Sequence, residues 1–280
     1  AGKVAIVTGG ASGLGRGTVE AYVAKGAKVA IFDMNEDNAN EVIGQLGADN
    51  VSFWNVNVSD EDSVRDAVAE VVEKFGALHI CNNYAGIASA CKTLSKKVVF
   101  PMAEYMRIIN VNLVGTFNVA RFAAEQMAKN EPFNEYGGRG VIINTASVAA
   151  YEGQVGQLAY SASKGGVVGM TIPMARDLAS YGIRVNTIVP GLIHTPLFET
   201  MPEMGQNTFN NPEVHSGGVN SVRGDIGAFN LRNMGTGNTL VLLNGRRMVQ
   251  TAGYQTELVG GSFVPVNTVN PNEIPTMGIR

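Results

Sequence analysis

This sequence is short of charge, cysteine and long apolar runs, and each shortage removes a class of protein. Lys and Arg number 21 and Asp and Glu 24 in 280 residues, for a formal net charge of -3. Such a balance offers no basic surface to nucleic acid or anionic lipid. The two cysteines, Cys81 and Cys91, are too few for a disulfide framework and lack the paired spacing of a zinc site. The histidines His79, His194 and His215 are too scattered to hold a metal or supply a catalytic base, and surface or internally satisfied positions are expected for them. No apolar run reaches the roughly 18 residues of a membrane helix, so no membrane insertion is expected. The opening AGKVAIVTGG runs as a strand into a glycine loop, without the features of a signal peptide. The expectation is a soluble, cytoplasmic, globular protein, and 45% hydrophobic residues over this length allow one sizeable α/β domain with or without a small appendage.

A further shortage lies within the chain. Residues 201–280 hold no lysine, yet contain 12 glycines and 11 asparagines, and no convincing amphipathic helical stretch. That is loop-and-turn composition. Its strongest strand signal is TLVLLNG, residues 239–245, ended by an Asn-Gly turn, with weaker extended pieces near VGGSFVPV.

The first 200 residues are different in kind. Short β-branched runs at 4–8, 28–33, 51–56, 78–83, 140–146 and 183–190 alternate with helical patterns such as 14–25, 61–75 and 160–180. Glycines at 26, 76 and 182 close several of these helices. This rhythm predicts a Rossmann-type doubly wound parallel sheet followed by an irregular Gly/Asn-rich segment. Pro173, inside the last helix, is expected to remove one backbone hydrogen bond and bend the axis. Trp54 is expected in the core or at the sheet edge.

TGGASGLG, from Thr8 to Gly15, follows a buried strand and opens a helix, where a pyrophosphate needs tight turns and close backbone approach. Asp33 ends the second strand 18 residues past Gly15, near the offset at which an acidic side chain binds an adenosine ribose. A carboxylate there repels a 2'-phosphate, and no arginine adjoins it, so NAD is favoured over NADP. Tyr160 and Lys164 stand four apart in YSASK, on one helix face, where an ammonium favours a phenolate and makes tyrosine a usable proton acceptor. Ser147 lies thirteen residues earlier at the carboxyl end of an expected parallel strand, where open sheets place ligands.

TGGASGLG, NNYAG (82–86), NVNL (110–113), Ser147, YSASK and PG (190–191), in this order, resemble the short-chain dehydrogenase/reductase family over about residues 1–200. The stretch from Asn130 to Met170 is most similar to its type-2 3-hydroxyacyl-CoA dehydrogenase, or hydroxysteroid dehydrogenase type 10, branch. The resemblance implies that Tyr160 is the general acid/base, Ser147 orients the substrate oxygen, and Lys164 tunes the tyrosine and holds the nicotinamide ribose. It implies that Asn112 positions a water behind Lys164. For NAD it implies contacts from Gly9, Ser12, Gly13, Leu14 and Gly15 at the pyrophosphate end and Asp33 at the adenosine diol. Further contacts are implied for Asn57 and Val58, for Asn83, Tyr84, Ala85 and Gly86, and for Pro190, Gly191, Ile193 and Thr195, with Tyr160 and Lys164. The implied partners are an alcohol or acyl-CoA substrate and a second copy of the chain, as a homo-oligomer. Two positions depart from the family: Asn57 replaces the usual acid, and Tyr84 stands where a small residue is usual, either crowding the cofactor or turning away.

From about Asn207 to Arg280, NLRNMGTGNTLVLLNGRRMV and VNTVNPNEIPTMGI resemble the plug domain of TonB-dependent outer-membrane receptors. No barrel strands accompany them. A plug-like segment, or a last strand of the dehydrogenase sheet built from TLVLLNG, would then stand where the family has its substrate lid. The alternatives to a working dehydrogenase are a lidless nucleotide-binding protein and, third, a plug-like interaction module.

Overall fold

Glycine at the helix ends and β-branched runs in the strands set the architecture of the computed structural model. It describes residues 2–96, 98–191, 193, 195 and 196, together with the backbone of four strands at 242–243, 246–247, 251–259 and 262–268. The chain divides into two units, Ala1–Met201 and Pro202–Arg280.

In the first unit the order is β1 (Val4–Thr8), α1 (Gly13–Ala24), β2 (Lys28–Asp33), α2 (Glu36–Leu46), β3 (Val51–Asn55), α3 (Glu61–Phe75) and β4 (Ile80–Asn83). Then come α4 (Met102–Ile109), a π-helical turn (Asn110–Val114), α5 (Gly115–Met127), β5 (Gly140–Thr145), α6 (Ala149–Glu152), α7 (Leu158–Ala179) and β6 (Ile183–Ile188). The six strands pair in parallel in the order β3-β2-β1-β4-β5-β6. The order reverses between β1 and β4, the crevice at which such sheets bind ligands. Gly26, Gly76 and Gly182 take φ of 76°, 83° and 70°, as the helix-stop reading anticipates.

Two apolar clusters hold the layers. Val19 of α1 and Ala39 and Val42 of α2 pack with Val7, Val29 and Ile31 on one face. On the other, Val64, Val68, Val119, Ala123 and Met174 bring α3, α5 and α7 onto Ile6, Phe32 and Ile142. Val141 and Ile143 of β5 are only half-buried, and Arg184 and Asn186 of β6 are exposed. α7 runs continuously through Pro173. Trp54 sits on the edge strand β3 against Phe32 and Phe75, with its indole N–H donating to Glu70 at 2.8 Å.

His79 is internally satisfied. Its Nδ1 accepts from the Val4 N–H at 3.2 Å, and its ring lies against Phe133. Burial, then the nearby Lys3 charge, pushes its pKa below 6.5. A lowered folded pKa means stability is present above the unfolded value and lost as pH falls through the folded one. The melting temperature is therefore expected to drop between pH 7.5 and 5. His79→Asn, whose side-chain oxygen can replace Nδ1 as acceptor, should show a smaller drop; an equal drop in both would assign the effect elsewhere.

In the second unit β7 (Leu242–Leu243) and β8 (Arg246–Arg247), separated in sequence by Asn244 and Gly245, pair antiparallel as the Asn-Gly signal anticipates. Leu242–Leu243 thus belongs to a two-stranded antiparallel ladder with Arg246–Arg247. β9 (Thr251–Val259) and β10 (Ser262–Thr268) form an antiparallel hairpin with a register shift between Pro265 and Asn267. The sequence pattern missed β9, because Gly253 and its threonines, glutamine and glutamate dilute the apolar alternation. His194, His215 and most of the plug-like stretch lie outside the described residues.

Candidate active site

The loop after β1 is built around glycine for steric reasons. Gly9 and Gly13 have φ of 64° and 52°, a region that strains other residues. A Cβ on Gly9 would lie 3.0 Å from the Ala85 backbone nitrogen, and one on Gly15 would overlap the Gly9 carbonyl oxygen. Ser12 caps α1 in an extended conformation without a side-chain hydrogen bond, and no acidic residue occupies the first turn. By contrast, α2 and α3 are capped by Asn35 and Asp60 and carry two acids each in their first turns. The α1 N-terminus thus keeps free N–H groups and no competing carboxylate, which is the donor set that a pyrophosphate requires.

Asp33 is fixed toward this loop. Its Oδ2 accepts from the Ala11 N–H at 3.1 Å, and its Oδ1 from the Met34 and Asn35 N–H groups at 2.8 and 3.0 Å. Each oxygen can accept more than one hydrogen bond, and Oδ2, with a single N–H partner, has room for a ribose hydroxyl. The residues present therefore fit a dinucleotide. Asn57 is exposed, and its Oδ1 is taken up by the N–H and O–H of Ser59 at 3.1 and 2.7 Å. Val58 is buried and packs where Gly115 leaves room.

Thr8 ties the two loops together: its Oγ1 accepts from the N–H groups of Tyr84 and Ala85, both at 3.0 Å. Asn83 is buried and donates to Asn144 Oδ1 at 2.9 Å, joining β4 to β5. Tyr84 resolves the question its size raises. Its ring packs with the α1 and α2 cluster, and its hydroxyl meets Thr18 at 3.0 Å. Pro190 O accepts from the Val148 N–H at 3.0 Å, and the Cβ of Thr195 lies 3.4 Å from where a Cβ on Gly13 would stand. Gly191 and Ile193 are exposed.

Past the carboxyl end of β5, the Tyr160 phenol lies close enough to the Ser147 hydroxyl for that group to act on its pKa. The Ser147 hydroxyl also accepts from the Ala149 N–H at 3.2 Å. Lys164 is 4% exposed, with its ammonium donating to Thr145 O at 2.7 Å and lying 5.7 Å from the Tyr160 ring centre. An ammonium has three donors, so two remain for hydroxyls entering beside Gly86. A Cβ there would stand 3.6 Å from the Lys164 nitrogen and 3.3 Å from Asn112 Oδ1.

The electrostatics differ from the expectation drawn from spacing. Burial is the larger influence on Tyr160 and raises its pKa above 10, with the Ser147 hydrogen bond acting in the opposite sense. Burial also pushes Lys164 down to about 8. A pKa of about 8 leaves the amine mostly charged at neutral pH, yet burial and not the Lys164 charge dominates the phenol.

Asn112 lies in the π-helical turn. Its Oδ1 accepts from Ile87 N–H at 2.8 Å, while Nδ2 donates to Ile87 O at 2.9 Å and Ser163 Oγ at 3.1 Å. Both of its donors are committed, which leaves a lone pair on Oδ1 as its free capacity. Neither the π-turn nor the Thr145 carbonyl under Lys164 has a sequence signal, since one is a one-residue change in helical winding and the other a main-chain group.

A doubly wound parallel sheet with a glycine loop at its switch point and a Ser, Tyr and Lys cluster at its carboxyl edge defines a Rossmann-type enzyme. The short chain dehydrogenase family profile matches residues 3–206, and the chain belongs to that family, an oxidoreductase family. It is 52% identical over 204 residues to 3-hydroxyacyl-CoA dehydrogenase type-2 of Homo sapiens, covering 72% of this chain and 77% of that protein. With the protein of the same name from Bos taurus it shares 51% over 208 residues, 74% of this chain and 79% of the relative. The crystal structure of 3-hydroxyacyl-CoA dehydrogenase type-2 from Mycobacterium avium superposes with a TM-score of 0.67 at 42% identity, over 71% of this chain and 78% of that one. No helix among the described residues is long and apolar enough to cross a membrane, and among them no three His, Cys, Asp or Glu side chains gather as a metal site would need.

Proposed function

We propose that the chain is an NAD-dependent oxidoreductase that interconverts a secondary alcohol and a ketone, with a 3-hydroxyacyl-CoA or hydroxysteroid-like substrate. The observation that carries the reading is the buried Tyr160 phenol beside the Ser147 hydroxyl and the buried Lys164, whose amine stands next to Gly86. The names of the relatives support the acyl-CoA substrate class.

NAD, when bound, supplies the hydride acceptor. Gly9, Ser12, Gly13, Leu14 and Gly15 provide the close approach and N–H groups for its pyrophosphate, and Asp33 accepts from the ribose diol. Asn57, Val58, Asn83, Tyr84, Ala85 and Gly86 border the adenosine side, with Pro190, Gly191, Ile193 and Thr195 toward the nicotinamide. The Ser147 hydroxyl donates to the substrate oxygen and orients it. Tyr160 moves the proton at that oxygen, taking it from the alcohol or giving it to the ketone. Lys164 holds ribose hydroxyls through its two remaining donors. With its pKa raised, Tyr160 is protonated near neutral pH, which favours ketone reduction there and alcohol oxidation at higher pH.

The family match ending at residue 206 supports a dehydrogenase domain over about 1–200; a plug-like segment from 201 to 280 in place of the substrate lid rests on the resemblance of its sequence alone. Exposed Met102, Met106, Val114, Phe117 and Ile172 on α4, the π-turn, α5 and α7 support a homo-oligomer formed through these helices.

The test is formation of NADH or NADPH from 3-hydroxybutyryl-CoA and from a hydroxysteroid, each with NAD and with NADP. The reading expects turnover of one substrate with NAD at least about tenfold better than with NADP, the scale of one unfavourable charge contact. Equal use of both cofactors would remove Asp33 from its role, and no turnover of either would leave the lidless nucleotide-binding protein.

A further inference from the structure

The tyrosine that departs from the family's usual small residue is tied to the helix beneath which a dinucleotide's pyrophosphate is expected. Tyr84 directly follows β4, half-buried, with its ring among the residues between the sheet and α1. Thr18 Oγ1 lies 3.0 Å from Tyr84 Oη and 3.0 Å from Leu14 O. Asn82 Nδ2 approaches the same phenol oxygen at 3.4 Å, and Asn82 Oδ1 accepts from Tyr22 Oη at 2.9 Å.

The Thr18 hydroxyl is placed to donate to Leu14 O and to Tyr84 Oη, and Tyr84 Oη can equally donate to it, so the two hydroxyls are joined whichever proton is used. Tyr84 in turn accepts from Asn82, whose oxygen accepts from Tyr22. The result is a chain of hydrogen bonds that leaves α1 at Tyr22, passes Asn82 of β4 and Tyr84, and returns to the first turn of α1 at Leu14. Aligned hydrogen bonds of this kind strengthen one another in a poorly solvated setting.

We propose that Tyr84 is a positioning residue for the cofactor: through Thr18 it fixes the first turn of α1, and so the N–H groups of the glycine loop, against the carboxyl end of β4. This rests on the reading of that loop as a dinucleotide site. A small residue at 84 leaves the first turn of α1 with no side-chain link to β4. The Tyr84 main chain already bounds the loop from the other side, since a Cβ on Gly9 would lie 3.1 Å from the Tyr84 carbonyl carbon.

The test is the dissociation constant of NADH, read by its fluorescence in the full chain for wild type, Tyr84→Phe, Thr18→Val and the double variant, with melting temperatures in parallel. Each single variant is expected to bind NADH about fivefold more weakly, the net worth of one neutral hydrogen bond. The double variant should be no weaker than the singles, because both cut the same link. Wild-type binding with undiminished affinity in both single variants overturns the inference, whether or not their melting temperatures fall, because the chain then holds the fold and not the cofactor. A double variant whose loss is the product of the two singles also overturns it. Wild type that fails to bind NADH overturns the cofactor reading and this inference with it.

Discussion

Tyr160→Phe is expected to cut the turnover number by about 10²- to 10⁴-fold, the range that a positioned general acid or base contributes, while leaving NADH binding within about twofold. The ring is buried and its only polar partner identified in the site is the Ser147 hydroxyl, so removing the phenol oxygen leaves the packing in place. The loss should fall on kcat and kcat/KM together, as for an interaction needed only as the proton moves. The pH dependence supplies a second check. Burial raises the phenol pKa, so wild-type alcohol oxidation should climb as pH rises above neutrality, and the residual rate of the variant should lose the part of that climb that belongs to Tyr160. An unchanged rate in Tyr160→Phe would put the proton transfer on another group.

Gly15→Ala is expected to weaken NADH binding by about 10²-fold, the scale of a displacement of roughly 1 Å at a reacting centre. The added methyl would overlap the Gly9 carbonyl oxygen and stand 3.0 Å from the Gly10 Cα. Both are backbone atoms that cannot rotate aside, so the loop itself must open. Gly17→Ala, two residues further along the same helix, is the control. Nothing stands within 4 Å of its Cβ position, and alanine in a helix is worth up to about 1 kcal/mol over glycine. This variant should bind NADH normally and melt slightly higher. Equal behaviour of the two variants would mean that the turn is not a constrained cofactor cradle.

These glycines show why much of the site was legible in the sequence. A turn that admits no Cβ must be written with glycine, and a strand buried on both faces must be written with β-branched residues. Gly9, Gly13 and Gly15 and the strands at 4–8 and 28–33 therefore stand in the sequence where they stand in the structure. Asp33 and the YSASK spacing were legible for a related reason, because their positions on a strand end and a helix face follow from simple periodicity.

Other features depend on geometry that no residue type encodes. The direction in which Tyr84 turns was open because a phenol fits either side of the loop, and the Thr18 hydroxyl that receives it is an ordinary helical threonine. The raised pKa of Tyr160 was missed because spacing shows a charge partner but not the depth of burial that weakens it. The π-turn at Asn110–Val114 lies in a run that reads as plain helix. In the second unit, the Asn-Gly signal marked β7 and β8, whereas β9 carries too mixed a pattern to register as a strand.

The most direct measurement is a fluorescence titration of NADH into the purified full chain, followed in the same cuvette by acetoacetyl-CoA with NADH oxidation monitored. The account predicts saturable binding and then oxidation that stops when acetoacetyl-CoA is limiting. Binding without oxidation would contradict the proposed activity while leaving a nucleotide-binding domain, and no binding would contradict the cofactor site on which the activity rests.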